Sequence, residues 1–515
     1  MTSTTEAPRV WSPQQQHIFS VVPKGDRNYI VEAVAGSGKT TTLVELVRLL
    51  RGRIAFLAYN KAIASDIAAK VQDIPNCNAG TFHAMGNAAW RKFSNGAKLD
   101  TSKLFNLCKA ESDMSATYTK FVMAAVSLAK QWGIGALTRI DDMQVWYDLV
   151  NRFDLEGKFA KKSEEGEELD MDTLIETGIT WSITVLKKSI AQAMQIIDFD
   201  DMIYMPVLRG CDIDKYDWVL VDEAQDTNPV RLAMAAMMVK PNGGRLVAVG
   251  DPRQAIYGFS GADSESLNKI ADKFNAVRVP LTVTYRCPKA VVKHAQQWVS
   301  HIQAADTAPE GEVREMRAED FMCLTGNLKA TDAILCRLTK PLVSLAFSLI
   351  KKRVACHVEG RNIGEGLIAL SKRWKVKTVG GLRTKLAAYM ARETAKCMAK
   401  NQELKAQQIE DQVSTLFVIM DTLQDSDSLS AVEASINSLF SDTDEGKPAK
   451  TLTLCTVHRS KGREWNRVYL WDRPAYMPSR FARQAWQMEQ EENLIYVAVT
   501  RAKAELIEVN GTNAL

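Results

Sequence analysis

The chain has 515 residues, 46% apolar, 24% charged and 8% aromatic, which excludes a wholly disordered, collagen-like or disulfide-scaffold protein and leaves material for about three or four domains. Lys and Arg outnumber Asp and Glu by 65 to 61, a net charge of +4, so net charge alone does not announce a nucleic-acid partner and any basic binding surface must be local. Nine cysteines without a CxxC pair and six scattered histidines argue against a disulfide framework or a zinc site, and for reduced thiols in a cytosolic compartment.

In chain order, residues 1–16 have neither a basic start nor an apolar run, so no signal peptide is expected. Apolar, β-branched runs bounded by Gly or turn residues follow at 29–34, 54–59, 218–221, 246–249 and 277–283, with helical patterns between them. This alternation predicts a parallel sheet wrapped by helices. A second set at 333–336, 451–457, 468–471 and 506–509 predicts another α/β core. Between the second and third strands of the first set, residues 86–197 are rich in helix formers and poor in strand signals, as expected of an inserted helical domain. Residues 358–450 form a smaller insertion in the second core, with helical spacing over 382–423. The polar segments 161–170 and 424–449 read as solvated loops. No run reaches the roughly 20 apolar residues needed to span a bilayer; the nearest, 341–350, reads as a buried helix, and no membrane partner is expected. No internal repeat of about 20–50 residues is evident.

The first strand runs into Ala33-Val34-Ala35-Gly36-Ser37-Gly38-Lys39-Thr40 and then a helical stretch, 41–50. Small residues let backbone N–H groups curl around phosphates, the helix N-terminus adds its dipole, Lys39 reaches the β/γ oxygens and the Thr40 hydroxyl ligates Mg²⁺. Ala35, Gly36, Ser37, Gly38, Lys39, Thr40 and Thr41 are the candidate nucleotide-binding set. The apolar strand at 218–221 ends in Asp222-Glu223-Ala224-Gln225-Asp226. There Asp222 can hold Mg²⁺ while Glu223 aims or deprotonates the water that attacks the γ-phosphate. Lys39 and Asp222 are 183 positions apart, which supports an insertion within the first core.

With these motifs in order along most of its length, the chain resembles a UvrD/Rep-type superfamily-1 DNA helicase, with features of F-box DNA helicase-like and phage members. The resemblance implies that Gln15, flanked by Gln14 and Gln16 as neighbouring registers, reads the adenine edge. Residues 56–64 (FLAYNKAIA) and 79–83 (AGTFH) resemble DNA-contacting motifs, making Tyr59, Asn60, Thr81 and His83 candidate DNA contacts. Residues 198–201 (DFDD) resemble the segment that re-enters the first core, read here as structural. In 249–262 (VGDPRQAIYGFSGA), Gln254 would sense the γ-phosphate while Tyr257 and Phe259 stack under DNA bases, a sequence-tolerant contact. Further implied roles are Tyr285 on adenine, Arg286 and Arg501 on the γ-phosphate as planar cations, Thr456 and His458 on the DNA backbone, and Glu464 on the ribose.

The fold so implied is α/β, two RecA-like P-loop cores each with a mainly helical inserted domain: 1–85 with 198–280, interrupted by 86–197, and 281–357 with 451–515, interrupted by 358–450. ATP with Mg²⁺ would bind in the cleft between the cores. The implied activity is ATP-dependent unwinding by a single-strand DNA translocase of 3′-to-5′ polarity. The alternative is a non-unwinding motor that strips proteins or serves a larger complex. Expected partners are single-stranded DNA and single-strand/duplex junctions, with protein partners meeting the inserted domains. The expected location is the cytoplasm of a bacterium or phage-infected cell, or the nucleus of a eukaryote. Fourteen residues follow Arg501, so no fused nuclease is expected there.

Overall fold

The computed structural model describes residues 10–153, 155–159, 171–256, 265–374, 376–399, 403–441, 450–480, 482 and 485–511. It divides into two compact units, the first comprising Met1–Ala33 and Gly38–Leu281 and the second Val34–Ser37 and Thr282–Leu515.

The first unit is built on six parallel strands: β1 (Tyr29–Ala33), β2 (Ile54–Ala58), β3 (Cys77–Thr81), β4 (Trp218–Val221), β5 (Arg245–Gly250) and β6 (Val277–Leu281). Their spatial order is β3-β2-β4-β5-β1-β6. Successive side chains of a strand point to opposite faces, and the inner strands are apolar on both. Val31, Ile54, Phe56, Trp218, Leu220, Val247 and Val249 face one core, shared with helices α1 (Pro13–Val21) and α2 (Lys39–Leu49). Ile30, Ala55, Leu57, Val219, Val221, Leu246 and Ala248 face the other. That second core continues without a break into the helices between β3 and β4, through Trp90, Phe121, Val126, Trp146 and Ile179. The sheet and those helices therefore gain their stability together, at about 1.5–3 kcal/mol for each large apolar side chain fully buried.

The second unit carries seven parallel strands: β7 (Glu312–Arg317), β8 (Asp332–Cys336), β9 (Cys356–Glu359), β10 (Phe440–Ser441), β11 (Leu452–Thr456), β12 (Trp465–Trp471) and β13 (Ala502–Asn510). Their order is β7-β13-β12-β8-β11-β9-β10. The apolar stretch at 341–350 lies inside helix Thr339–Lys351, whose Leu342, Val343, Leu345, Ala346 and Leu349 are buried. Helices Val379–Ala399 and Glu403–Met420 occupy the segment with helical spacing and share the core of this sheet. Residues 424–449 are not the continuous loop expected: Leu429–Leu439 is a helix. Its Val432, Ile436 and Leu439, spaced for one helical face, are buried, and that stripe outweighs the polar composition around it. The other polar segment, 161–170, lies outside the described residues. Among the described residues, no helix is long and apolar enough to cross a membrane.

Candidate nucleotide site and nucleic-acid motifs

The glycine-rich turn joins β1 to α2 with two left-handed residues, Gly36 (φ +70°) and Gly38 (φ +78°), a conformation that glycine adopts without a Cβ penalty. Gly38 is also the N-cap of α2 and makes no side-chain cap, so the first helical amides point outward unpaired by a cap, as an anion site needs. Among the described residues, the buried Ser37 Oγ has no hydrogen-bond partner. An orphaned hydroxyl inside a turn of this shape fits a phosphate ligand.

In the first unit, α1 opens with a capping box: Ser12 Oγ accepts from the Gln15 amide and Gln15 Oε1 accepts from the Ser12 amide. The box buries Gln15 rather than Gln14 or Gln16, and its Nε2 donates to Thr42 Oγ1 at 2.9 Å. Thr42 Oγ1 in turn donates to the Gly38 carbonyl at 2.9 Å. Gln15 is thereby fixed against the first turn of α2.

Across the sheet, the Asp222 amide donates to the Leu57 carbonyl, which holds the carboxylate at the end of β4. Thr40 Oγ1 donates to Asp222 Oδ2 at 2.8 Å and the Glu223 amide donates to Asp222 Oδ1 at 2.9 Å. Burial, then the adjacent Glu223 charge, pushes the Asp222 carboxyl up to about 6, against the nearby Lys39. Such a carboxylate beside a hydroxyl is a fitting oxygen pair for Mg²⁺, which uses one or two protein ligands with phosphates and waters completing the set. Glu223 has φ +50°, ψ +45°, a left-handed conformation that costs a non-glycine residue about 1–3 kcal/mol.

Gln225 holds Glu223 in place: its Nε2 donates to Glu223 Oε2 at 2.6 Å and its Oε1 accepts from the Asp251 amide at 3.0 Å. A Cβ on Gly250 would lie 2.6 Å from Gln225 Oε1, so glycine there admits the bridge. Buried Asp251 accepts from the Arg253 amide and from Gln254 Nε2 at 2.8 Å, and burial raises its carboxyl while Lys39 opposes the rise. Gln225 and Asp251 were not among the residues expected at the site. Their signal in the sequence is an amide inside the carboxylate run and a Gly-Asp pair ending the neighbouring strand.

Tyr59 follows β2, with the Arg231 guanidinium 5.3 Å from its ring centroid. Asn60 caps helix Lys61–Lys70 through Ile63 N, and Thr81 caps helix Phe82–Ser94 through Ala84 N. His83 is neutral, its pKa pulled down to about 4 by burial and the Arg231 charge. Tyr257 and Phe259 lie outside the described residues.

In the second unit, the Ala35 amide donates to Tyr496 Oη and the Tyr285 amide to the Gly36 carbonyl, each at 2.9 Å. Tyr285 is half exposed. Arg286 Nε pairs with Glu464 Oε2 at 2.5 Å and Lys503 Nζ lies 3.5 Å from Glu464 Oε1. Burial pushes the Glu464 carboxyl up, but these two cations bring it below its ordinary value. The resemblance assigns Arg286 and Glu464 to different parts of the nucleotide, whereas here they hold each other. Arg501 is 1% exposed and donates to the carbonyls of Val497 (2.8 Å) and Arg463 (3.1 Å). Burial, then the Arg286 charge, pulls it down to about 9. Thr456 is the N-cap of the short helix Val457–Ser460. His458, on that helix, is pulled down to about 3 by burial and by Arg337.

Comparison with known proteins agrees with the ordered motifs. The UvrD/REP helicase N-terminal domain matches residues 11–275 and the UvrD-like helicase C-terminal domain matches residues 211–509. F-box DNA helicase protein 1 of Schizosaccharomyces pombe is 24% identical over 93% of this chain and 55% of its own length. DNA helicase IV of Escherichia coli is 27% identical over 56% of this chain and 47% of its own. ATP-dependent DNA helicase Rep of Salmonella typhimurium is 25% identical over 55% and 42% respectively. The chain thus spans about half the length of the curated relatives it matches. With two domain matches that together run from residue 11 to residue 509, the chain belongs to the UvrD/Rep helicase family.

Proposed function

We propose that the chain is an ATP-dependent DNA helicase that translocates on single-stranded DNA with 3′-to-5′ polarity and hydrolyses ATP to ADP and phosphate. The observation that carries the reading is the hydrogen bond from Thr40 to Asp222 beside Lys39 and the aligned Glu223. A phosphate turn, a hydroxyl–carboxylate pair and a positioned base are the parts that phosphoryl transfer to water requires. Mg²⁺ held by Thr40 and Asp222 would neutralise charge on the phosphate oxygens. Thr40 can offer an oxygen lone pair to the ion while its own hydroxyl proton stays directed at Asp222. Lys39, Ser37 and the amides of residues 35–38 bind phosphate. Glu223, clamped by Gln225, orients the attacking water and takes its proton. Gln254 and the two planar cations Arg286 and Arg501 act on the γ-phosphate.

Tyr285, Gln15 and Glu464 act on the nucleoside, so nucleotide binding exchanges the Arg286–Glu464 pair for contacts with ATP. Tyr59, Asn60, Thr81, His83, Thr456 and His458, with the stacking pair Tyr257 and Phe259, hold the strand. Single-strand/duplex junctions are a further DNA partner, and the insertions 86–197 and 358–450 are the places for protein contacts in a cytoplasmic or nuclear setting.

The test is strand displacement on duplexes carrying a single 3′ or 5′ tail, with ADP and phosphate release followed in parallel. Displacement from the 3′-tailed duplex alone, and ATPase raised by single-stranded DNA, is the expected result. Displacement from the 5′-tailed duplex reverses the polarity. Stimulated ATPase without displacement replaces the helicase with a non-unwinding motor, and ATPase indifferent to DNA removes the DNA motor altogether.

A further inference from the structure

Arg231 occupies the third position of helix Pro229–Met238, where a cation opposes the positive end of the helix dipole. Helix stability therefore does not account for it. Its amide donates to Asn228 Oδ1 at 2.9 Å, two residues beyond the buried Asp226, so its backbone is tied to the segment that begins at Asp222. Its side chain reaches the other way, to the Tyr59 ring at 5.3 Å. Its Nε is buried and makes no hydrogen bond among the described residues. Asp226 and Asp200 both act on its charge, which also helps keep His83 neutral. One planar guanidinium thus lies against the segment after β2, and its charge acts on the carboxylate segment at the end of β4 and on His83 at the start of the helix after β3.

We propose that Arg231 is a positioning residue that couples the carboxylate segment carrying Asp222, Glu223 and Asp226 to Tyr59, so that a strand seated against Tyr59 realigns the hydrolytic groups. The inference rests on the proposed DNA-stimulated ATPase and names the residue through which the stimulation passes. A planar guanidinium stacks on a ring with one face and pairs with a carboxylate along its edge. Displacing either neighbour therefore displaces the other, which a flexible ammonium does not reproduce.

The experiment measures steady-state ATPase of the full chain with and without oligodeoxythymidylate for wild type, Arg231→Met, Arg231→Lys, Tyr59→Leu and the Arg231→Met/Tyr59→Leu double variant. Arg231→Met is expected to lower the ratio of DNA-saturated to DNA-free turnover on the order of tenfold, inside the roughly 5- to 150-fold span of site-to-site couplings. The KM for ATP should stay within about twofold. Arg231→Lys should fold and still lack the stimulation. The double variant should lose little beyond the larger single loss, as coupled residues do.

An unchanged ratio in Arg231→Met, or losses that multiply independently in the double variant, overturns the coupling while leaving the helicase reading intact. If Arg231→Met does not fold, a fully stimulated Arg231→Lys overturns it. If wild type itself is not stimulated, both readings fall.

Discussion

At the root of the helices between β3 and β4, Lys103 and Lys130 are buried against Asp198 and Asp201. Lys103 Nζ lies 2.6 Å from Asp201, and Lys130 Nζ lies 2.5 Å from Asp198 and 2.7 Å from Asp201. The carboxylates cap each other's backbone amides and Lys103 also donates to the Ser189 carbonyl. Burial pushes the Asp201 carboxyl up, yet the two lysines bring it below its ordinary value. At the ends of β4 and β5 the situation is reversed. Asp222 and Asp251 are equally buried, Glu223 adds a third carboxylate, and both buried groups stay raised despite Lys39.

Burial of charge therefore does not mark function by itself. A matched group makes a lock between two parts of a fold. A group with excess negative charge is destabilised until a cation arrives, and that is the electrostatic condition of a metal–nucleotide site.

The comparison breaks first, and by the largest margin, on activity. Lys39→Ala should abolish nucleotide turnover, and Glu223→Gln should lower hydrolysis by roughly 10²- to 10⁴-fold while ATP binding persists. Glu223→Gln should melt no lower than wild type, since it removes one of the crowded negative charges, whereas Lys39→Ala also removes the cation that opposes the raised Asp222 and Asp251 and should melt lower. Near-normal turnover in Glu223→Gln, measured in single-turnover ATPase with saturating single-stranded DNA, would show that the unmatched cluster is not where hydrolysis happens.

The matched cluster should respond in stability instead. Lys130→Met leaves two carboxylates buried with one cation, and losing one partner of such a group costs about 3–5 kcal/mol. Urea unfolding followed by the tryptophans of the first unit reads this directly. A loss under about 1 kcal/mol would mean that the lysines are not holding the helices to the sheet.

The smallest effect concerns Asp200, beside the same lysines, and it sharpens the comparison. Burial, then the charges of Asp198 and Asp201, pushes its carboxyl up to about 6 against the hydrogen bond from Ser127. Between about pH 4 and 6 the folded chain binds more protons at this group than the unfolded chain, so its contribution disfavours the fold as pH rises. Asp200→Asn should therefore stabilise the protein above about pH 6 by roughly 2–3 kcal/mol, at about 1.4 kcal/mol per pKa unit over a rise of about two. The gain should shrink as pH falls and vanish below about 4. A gain independent of pH in thermal melts would assign the effect to packing rather than charge.

Much of the fold was legible where burial is two-sided. The strands at 54–58 and 218–221 are continuous apolar runs, and those at 29–33 and 245–250 are broken only by Glu32 and Arg245, because both faces of an inner parallel strand meet helices. Among the strands missed in reading the sequence, the longest are Cys77–Thr81, Glu312–Arg317 and Cys356–Glu359. The first two lie at sheet edges, where one side lacks a neighbour and polar residues such as Asn78, Glu312 and Arg314 are tolerated. The helix at 429–439 was hidden for a different cause, since its apolar stripe is short and set in a polar stretch.

What the sequence determined by itself is whatever depends on residues a few positions apart. The glycines that let a turn pass from β1 to α2, the hydroxyl and amide caps at Ser12, Asn60 and Thr81, and the apolar strand that ends in Asp222 are all local, and their order along the chain carries the family resemblance. The strand order β3-β2-β4-β5-β1-β6 was decided only in three dimensions, and with it everything that passes between strand ends. Thr40 meets Asp222 across 182 positions, Gln225 bridges Glu223 to Asp251, and Arg231 reaches Tyr59. Coulomb and hydrogen-bond energies depend on distance in space, and separation along the chain does not enter them.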